Sequence, residues 1–165
     1  MTHEQSNSPA QPEHEYEPQI GLFNVEAMSN EQVRLIGRSL MALTESTRDE
    51  PGNDANECNE LWEGLSAGVR SFAQREPERV KGLVREMVRS DKVADRGLAA
   101  STVPGLIDHD YPFTREVLAT LYDDKDANVS ELTGLVVMNL SQLKLTPEQR
   151  VDFEARLHFR DSLDR

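Results

Sequence analysis

The feature that most constrains this chain is a repeated pattern of two helix pairs between residues 77 and 143. In each half a helix begins at or just after a proline, Pro77 or Pro112, runs into a turn that contains aspartate, and is followed by a second helix. Asp91 and Asp126 mark corresponding turns 35 residues apart, and a period of this length is typical of stacked helical repeats. The repeat therefore predicts an all-α protein.

Signals for the start of a helix also lie outside the repeat. Ser29 and Gln32 have the spacing of a capping box, in which each side chain bonds to the backbone amide of the other residue. Thr146 and Gln149 have the same spacing, and Pro147 stands at the first helical position between them. Together with the repeat, these signals predict about six major helices and no sheet.

The spacing of apolar residues assigns an inward face to each helix. The first helix is expected to bury Val33, Ile36, Leu40 and Leu43. The last helix is expected to bury Val151, Ala155, Phe159 and Leu163, and to place Phe153 and Leu157 nearer the other side. The helix before it, which ends near residue 143, is apolar nearly all round because Leu135 and Met138 lie opposite its main stripe. We expect that helix to be the most buried one.

Composition divides the chain into a tail and one domain. Residues 1–19 contain three prolines, four glutamates and one aromatic residue, a mixture that predicts a disordered acidic tail. Residues 20–165 are expected to form a single helical-repeat domain. No apolar stretch reaches the roughly 18 to 20 residues that a membrane span requires, the amino terminus lacks the pattern of a signal peptide, and Cys58 has no second cysteine. These observations predict a cytoplasmic protein without disulfides or contact with a membrane.

The second half of the repeat carries a resemblance to a known family. Asp126 stands in the turn, Val129 follows three residues later, and small residues such as Gly134 lie on the second helix. This arrangement resembles the turn and second helix of HEAT repeats, and Asp91, Ala94 and Leu98 resemble it more loosely, over about residues 77–143. The resemblance implies a right-handed stack of antiparallel helix pairs, an α-solenoid, with a concave binding face and a scaffold or recognition role.

Charge indicates which partners the domain can bind. The chain has 30 acidic and 18 basic residues, a net charge of −12, and therefore disfavours nucleic acid. Two charged surfaces are candidate partner-binding sites. The basic candidate is an outward stripe on one helix, formed by Lys81, Arg85 and Arg89. The acidic candidate lies in turns and at the start of a helix, and consists of Asp108, Asp110, Asp123, Asp124, Asp126 and Glu131. We expect the turn carboxylates of Asp123, Asp124 and Asp126 to contribute little to stability.

Motifs for chemistry are missing from the sequence. Asp124, Asp126 and Asn128 match three positions of a calcium-binding loop, but Val129 stands where glycine is needed and Leu135 where the bidentate glutamate belongs. The four histidines are scattered, and His109, between two aspartates, is the one compact acid–base group. The sequence therefore predicts no metal, no cofactor and no catalytic site.

Two functions from different classes remain open. The first is a non-enzymatic cytoplasmic module that binds another protein through a concave face or through the turns. The second is an acidic immunity protein or antitoxin whose carboxylates block the basic cleft of a nuclease-like toxin. A DNA-repair enzyme of HEAT type is less favoured because it needs a basic concave surface. The sequence leaves the oligomeric state open.

Overall fold

A computed structural model of the chain describes residues 23–47 and 54–161. The predicted tail, residues 1–19, lies outside the described residues, as do residues 48–53. The described part is helical and contains no strand. Its α-helices are α1 (Asn30–Thr47), α2 (Asp54–Arg75), α3 (Pro77–Val88), α4 (Val93–Thr102), α5 (Tyr111–Tyr122), α6 (Ala127–Leu143) and α7 (Pro147–Asp161).

The all-α prediction is confirmed, but the expected count of about six helices was one too low. The described residues form seven α-helices and two short 3-10 helices, Val25–Ala27 and Val103–Leu106. Both capping boxes are present. The Ser29 hydroxyl accepts from the Gln32 amide at 3.1 Å and the Gln32 side chain accepts from the Ser29 amide at 2.9 Å. The equivalent bonds of the box before α7 are both 3.2 Å long.

The short helix α4 lies at the centre of the fold. It packs against α1, α2, α3, α5 and α6, and every residue from Ala94 to Thr102 is buried. A single cluster of buried apolar side chains runs from Val25 through all seven helices to Leu157. The other helices are therefore arranged around α4, and α7 is attached at the edge through α5.

Small residues allow α1 and α6 to approach α4 closely. A side chain at Gly37 of α1 would lie 3.0 Å from Leu98, and one at Gly97 of α4 would contact Met41 at 3.4 Å and Leu132 at 3.6 Å. Because glycine has no side chain, Leu98 packs against the backbone of α1 at Gly37, and Met41 of α1 and Leu132 of α6 cover the backbone of α4 at Gly97. This explains why α4, and not the more apolar α6, is the most buried helix.

Two expected faces were wrong. In α6, Leu135 and Met138 remain 56% and 49% exposed, because no helix of the described chain covers their side. In α7, Phe153 and Leu157 are buried, whereas Val151 is 69% exposed and Ala155 is also exposed. The expected burial of Phe159 and Leu163 concerns side chains that lie outside the described part of the chain. Both stripes of α7 have helical spacing, and the contact with α5 decides which one turns inward. Leu43, expected inside, is half exposed near the end of α1.

The two turns that suggested the repeat also differ in detail. Asp126 is the N-cap of α6, and its side chain accepts from the amides of Asn128 and Val129. The corresponding cap of α4 is Lys92, whose side chain makes no capping hydrogen bond, and Asp91 is exposed. Ser90 serves this turn instead, since its hydroxyl accepts from the Lys92 amide at 3.1 Å. The spacing of 35 residues therefore locates two turns of similar position but different hydrogen bonding.

Pro104 and Gly105 end α4 and bring the chain against α2. α4 stops at Thr102 and continues as the 3-10 helix Val103–Leu106. A side chain at Gly105 would lie 2.7 Å from the Cα atom of Arg70 and 3.0 Å from its carbonyl oxygen. The Gln74 amide also donates to the Gly105 carbonyl at 2.7 Å. Since the nearest atoms belong to the backbone of α2, which cannot move aside as a flexible side chain can, this position requires glycine.

We expect Gly105→Ala to destabilise the fold by about 1 to 3 kcal/mol, because the added methyl group would meet the backbone of α2. Gly82 in the middle of α3 is the matched control, since a methyl group there would meet nothing within 4 Å. Gly82→Ala should therefore raise the free energy of unfolding by up to about 1 kcal/mol. Chemical denaturation of the two variants measures both effects. Changes of the same sign in the free energy of unfolding would contradict the packing described.

Candidate functional site

The charged residues of α4 connect the central helix to α1. The side chain of Asp95 is buried, yet its carboxylate receives two hydrogen bonds from Arg38, at 2.9 Å from Nε and 2.7 Å from Nη2. The Ser90 hydroxyl donates a third at 2.7 Å, and Arg34 Nη1 lies 3.9 Å away. The carboxylate is thus surrounded by donors, as a buried charge requires.

The next residue of α4, Arg96, has the opposite charge and connects the helix to the turn between α5 and α6. Its Nε donates to Asp124 Oδ2 at 2.7 Å and its Nη2 to Oδ1 at 3.2 Å, while Nη1 donates to the Ser90 carbonyl at 3.1 Å. Asp124 also accepts from the Asp126 amide at 2.9 Å. Two adjacent residues of opposite charge therefore hold two different neighbours of α4.

The surroundings of both carboxylates favour the ionised form. Burial alone would raise the pKa of Asp95, but hydrogen bonds from Arg38 and Ser90 and the nearby arginine charges hold that pKa below its ordinary value. Burial would also raise the pKa of Asp124, but the hydrogen bonds from the Arg96 side chain and the Asp126 amide hold that pKa below its ordinary value. Both groups therefore stabilise the fold as anions.

The acidic turn before α6 is accordingly a structural element, which corrects the sequence-based expectation. Asp124 is paired with Arg96, and Asp126 caps α6 with hydrogen bonds of 2.9 Å and 3.4 Å to backbone amides. Asp123 is exposed and interacts electrostatically with Arg156. Replacing all three aspartates together would damage the fold, so it cannot isolate a role in binding.

The basic stripe on α3 also makes contacts within the chain. Lys81 is largely buried and its ammonium lies 2.7 Å from Asp110 Oδ2, so two residues proposed for partner binding bind each other. Asp110 is in addition the N-cap of α5, and these two contacts lower its pKa. Lys81 and Arg85 flank the ring of Phe113 at 5.2 Å and 5.3 Å from its centroid. Arg85 and Arg89 themselves remain exposed, as the sequence predicted.

The other acidic candidates do not form one surface. Asp108 is exposed just before α5, and Asp123 is exposed just after it. Since α5 has 12 residues, these two ends are about 18 Å apart. His109 is partly exposed and contacts Glu78 of α3 at 3.1 Å through Nε2. The structure therefore places His109 beside α3 and Asp108 next to it at the start of α5, whereas Asp123 and Glu131 lie at the other end of α5.

A polar network attaches α7 to α5. Arg115 Nη1 donates to Asp152 Oδ2 at 2.8 Å, and the Tyr111 hydroxyl donates to the same oxygen at 2.9 Å. Burial and this hydrogen bond raise the pKa of Tyr111 to about 12. Arg156 of α7 binds both carboxylate oxygens of Glu116, at 3.1 Å and 2.9 Å. The two arginines and two carboxylates of this network therefore pair within the chain.

The outer face of α6 differs from these charged surfaces. Leu135 and Met138 are exposed there together with the neutral side chains of Asn139 and Gln142, and Glu131 is the one charged residue in the helix. The sequence pattern identified both apolar residues but assigned them to the core. The signal that could have identified this face is the lack of charge over twelve residues, 132–143, in a chain with 29% charged residues.

We expect Asp124→Ala to lower the free energy of unfolding by on the order of 3 kcal/mol, because it leaves the Arg96 guanidinium buried without its partner. Asp108→Ala is the matched control, since it removes the same charge from an exposed turn and should cost under about 0.5 kcal/mol. Urea denaturation measures both values. Equal small losses in the two variants would show that the Arg96 contact does not support the fold.

Stability should also decrease in acid. The pKa values of Asp95 and Asp124 are lower in the folded chain than the ordinary value of 3.8 expected after unfolding. Their contribution is therefore complete above about pH 5 and is lost as the pH falls through the folded-state pKa values. Urea midpoints between pH 7 and pH 2.5 measure this loss. The midpoint should decrease less with falling pH in Asp124→Asn than in the wild type. A wild-type midpoint that does not change below pH 4 would contradict it.

In the described part of the chain, no group of three or more histidine, cysteine, aspartate or glutamate side chains could hold a metal ion. None of the described helices combines the length and the apolar character needed to cross a membrane. Comparison with protein-family models, curated proteins and solved structures gives no match for this chain.

Proposed function

We propose that this chain is a non-enzymatic protein–protein interaction module whose binding surface is the outer face of α6. The observation that carries the proposal is the exposure of Leu135 and Met138, at adjacent turns of a helix with a single charge. Exposed apolar residues that stand next to one another on a surface mark sites of interaction with other proteins. The surrounding Asn139 and Gln142 supply hydrogen-bonding groups at the rim.

We also propose that the helices form a HEAT-like stack of antiparallel pairs with a right-handed sense. The packing of α3 on α4, of α5 on α6, and of α4 on α6 supports this arrangement. In such a stack each pair contacts only its neighbours, so a helix near the end keeps one face without a neighbour. The outer face of α6 has this position, because α7 packs on α5.

The alternative role, an immunity protein or antitoxin for a basic toxin, has weaker support. Of its six acidic candidates, Asp110, Asp124 and Asp126 are engaged in ion pairs or helix caps. Asp108, Asp123 and Glu131 are exposed but are divided between the two ends of α5. A basic cleft would require several carboxylates on one surface.

Affinity capture tests the proposed surface. The tagged wild-type chain, Leu135→Glu and Val151→Glu are each incubated with lysate of the source organism. Val151 is the matched control because it is also an exposed apolar residue, at 69% against 56% for Leu135, but lies on α7. We expect wild type and Val151→Glu to retain the same proteins and Leu135→Glu to lose them, since a charge at the centre of the face cannot be desolvated cheaply.

The same capture experiment distinguishes the two roles. Binding through the neutral face of α6 should persist when salt is raised from about 0.05 to 0.5 M, whereas binding through carboxylates should weaken. Circular dichroism of each variant verifies that the helices are intact. Identical sets of captured proteins from all three chains would overturn the assignment to α6.

A further inference from the structure

We propose that the occupant of the outer face of α6 is the same face of a second copy of this chain, packed antiparallel across a two-fold axis. The inference rests on the proposed function, because it takes the same surface and names its partner. Three properties of the face lead to it: the spacing of its residues, the order of those residues, and the charge of the whole chain.

The exposed residues of α6 lie along one line. Asn128, Glu131, Leu135, Met138 and Gln142 are all exposed and follow one another at intervals of three, four, three and four residues. On an α-helix these intervals bring side chains to the same side, and they are the intervals of the seam between two packed helices. We call these five residues the α6 seam. It extends over four turns and has the two large apolar residues at its centre.

The order of residues in the α6 seam fits a two-fold axis. In an antiparallel pair centred between residues 136 and 137, Leu135 of each copy faces Met138 of the other. The same register places Glu131 opposite Gln142, whose amide can donate to the carboxylate. A parallel pair would instead place Glu131 beside Glu131 of the other copy, and like charges at that spacing repel. The seam therefore complements itself in the antiparallel direction.

The charge of the chain favours this surface for contact between copies. Two copies each carry −12 and repel one another wherever their charged faces meet. The α5–α7 surface carries carboxylates such as Glu116 and Asp152 that are partly exposed even though they are paired. α6 carries one charged residue in 17, fewer than any other α-helix of the described chain. A partner recognised by opposite charge would find little to bind here, whereas a second neutral seam is complementary.

The size of the contact sets the expected strength. A helix of 17 residues is about 25 Å long, and two such helices bury less than the roughly 1,600 Å² of a standard stable interface. We therefore expect a reversible dimer with a dissociation constant in the micromolar range. Screening of the repulsion between the two chains should strengthen it as salt rises, which is opposite to the behaviour of a contact made by ion pairs.

Sedimentation velocity of the full chain tests the inference. Between about 1 and 500 µM the wild-type mass should change from that of one chain to that of two, with a smaller dissociation constant at higher salt. Leu135→Glu and Met138→Glu should each weaken dimerisation at least tenfold, and Val151→Glu should not. Circular dichroism confirms that each variant is folded. A wild-type chain that remains monomeric at 500 µM would overturn the inference.

Cysteine cross-linking tests the register. In a Cys58→Ala background, Leu135→Cys chains mixed with Met138→Cys chains should form a disulfide-linked dimer several-fold faster than either chain alone under mild oxidation. Preferential linking of Leu135→Cys to itself would indicate a parallel or shifted pair and overturn the proposed arrangement. Ala127→Cys, which is exposed but outside the seam, is the control for random collision.

The outcomes separate this inference from the proposed function. If the chain is monomeric but Leu135→Glu still loses a captured protein, the second copy is excluded and the α6 face remains a binding surface for another protein. If the chain dimerises and the seam substitutions have no effect on dimerisation, the inference fails as well, because a different face then joins the copies. The inference is supported when Leu135→Glu and Met138→Glu lose dimerisation and Val151→Glu retains it.

Discussion

The arrangement of the helices depends on two adjacent charges at the start of α4. Asp95 and Arg96 are 1% and 5% exposed, and they reach in different directions, to Arg38 of α1 and to Asp124 before α6. A buried ion pair adds little net stability compared with apolar residues of the same shape, because both charges lose their hydration. Its bidentate geometry is satisfied in one arrangement only. These contacts therefore determine how α1 and α6 are aligned with α4, while apolar burial supplies the driving force.

Features that depend on neighbouring residues could be predicted from the sequence. The capping boxes at Ser29 and Thr146 and the helix start at Pro77 all result from local hydrogen bonds and backbone geometry. Contacts between distant residues could not be predicted in the same way. Lys81 and Asp110 are 29 positions apart, and each looks like a solvated charge when only its own helix or turn is considered.

The same limit explains the errors about burial. The pattern of apolar residues shows which side of a helix is able to enter a core, but the neighbours decide which side does so. α6 has the apolar composition of a buried helix and lies at an edge, whereas α4 has small and charged residues and is surrounded. For the candidate site this means that the sequence identified Leu135 and Met138 as a second apolar side of α6, whereas their exposure depends on the packing of the other helices.

The position of the single tryptophan has a practical consequence. The Trp62 indole donates to the Ser101 hydroxyl at 3.3 Å and lies beside Gly37 and Gly97, so it contacts the junction of α1, α2 and α4. Its fluorescence therefore reports on the centre of the molecule. Separation of α1 from α4 would expose the ring to water and shift its emission to longer wavelength. Detachment of α7, which packs on α5, would leave the emission of Trp62 unchanged, so fluorescence and circular dichroism together can distinguish fraying at the carboxyl end from unfolding of the core.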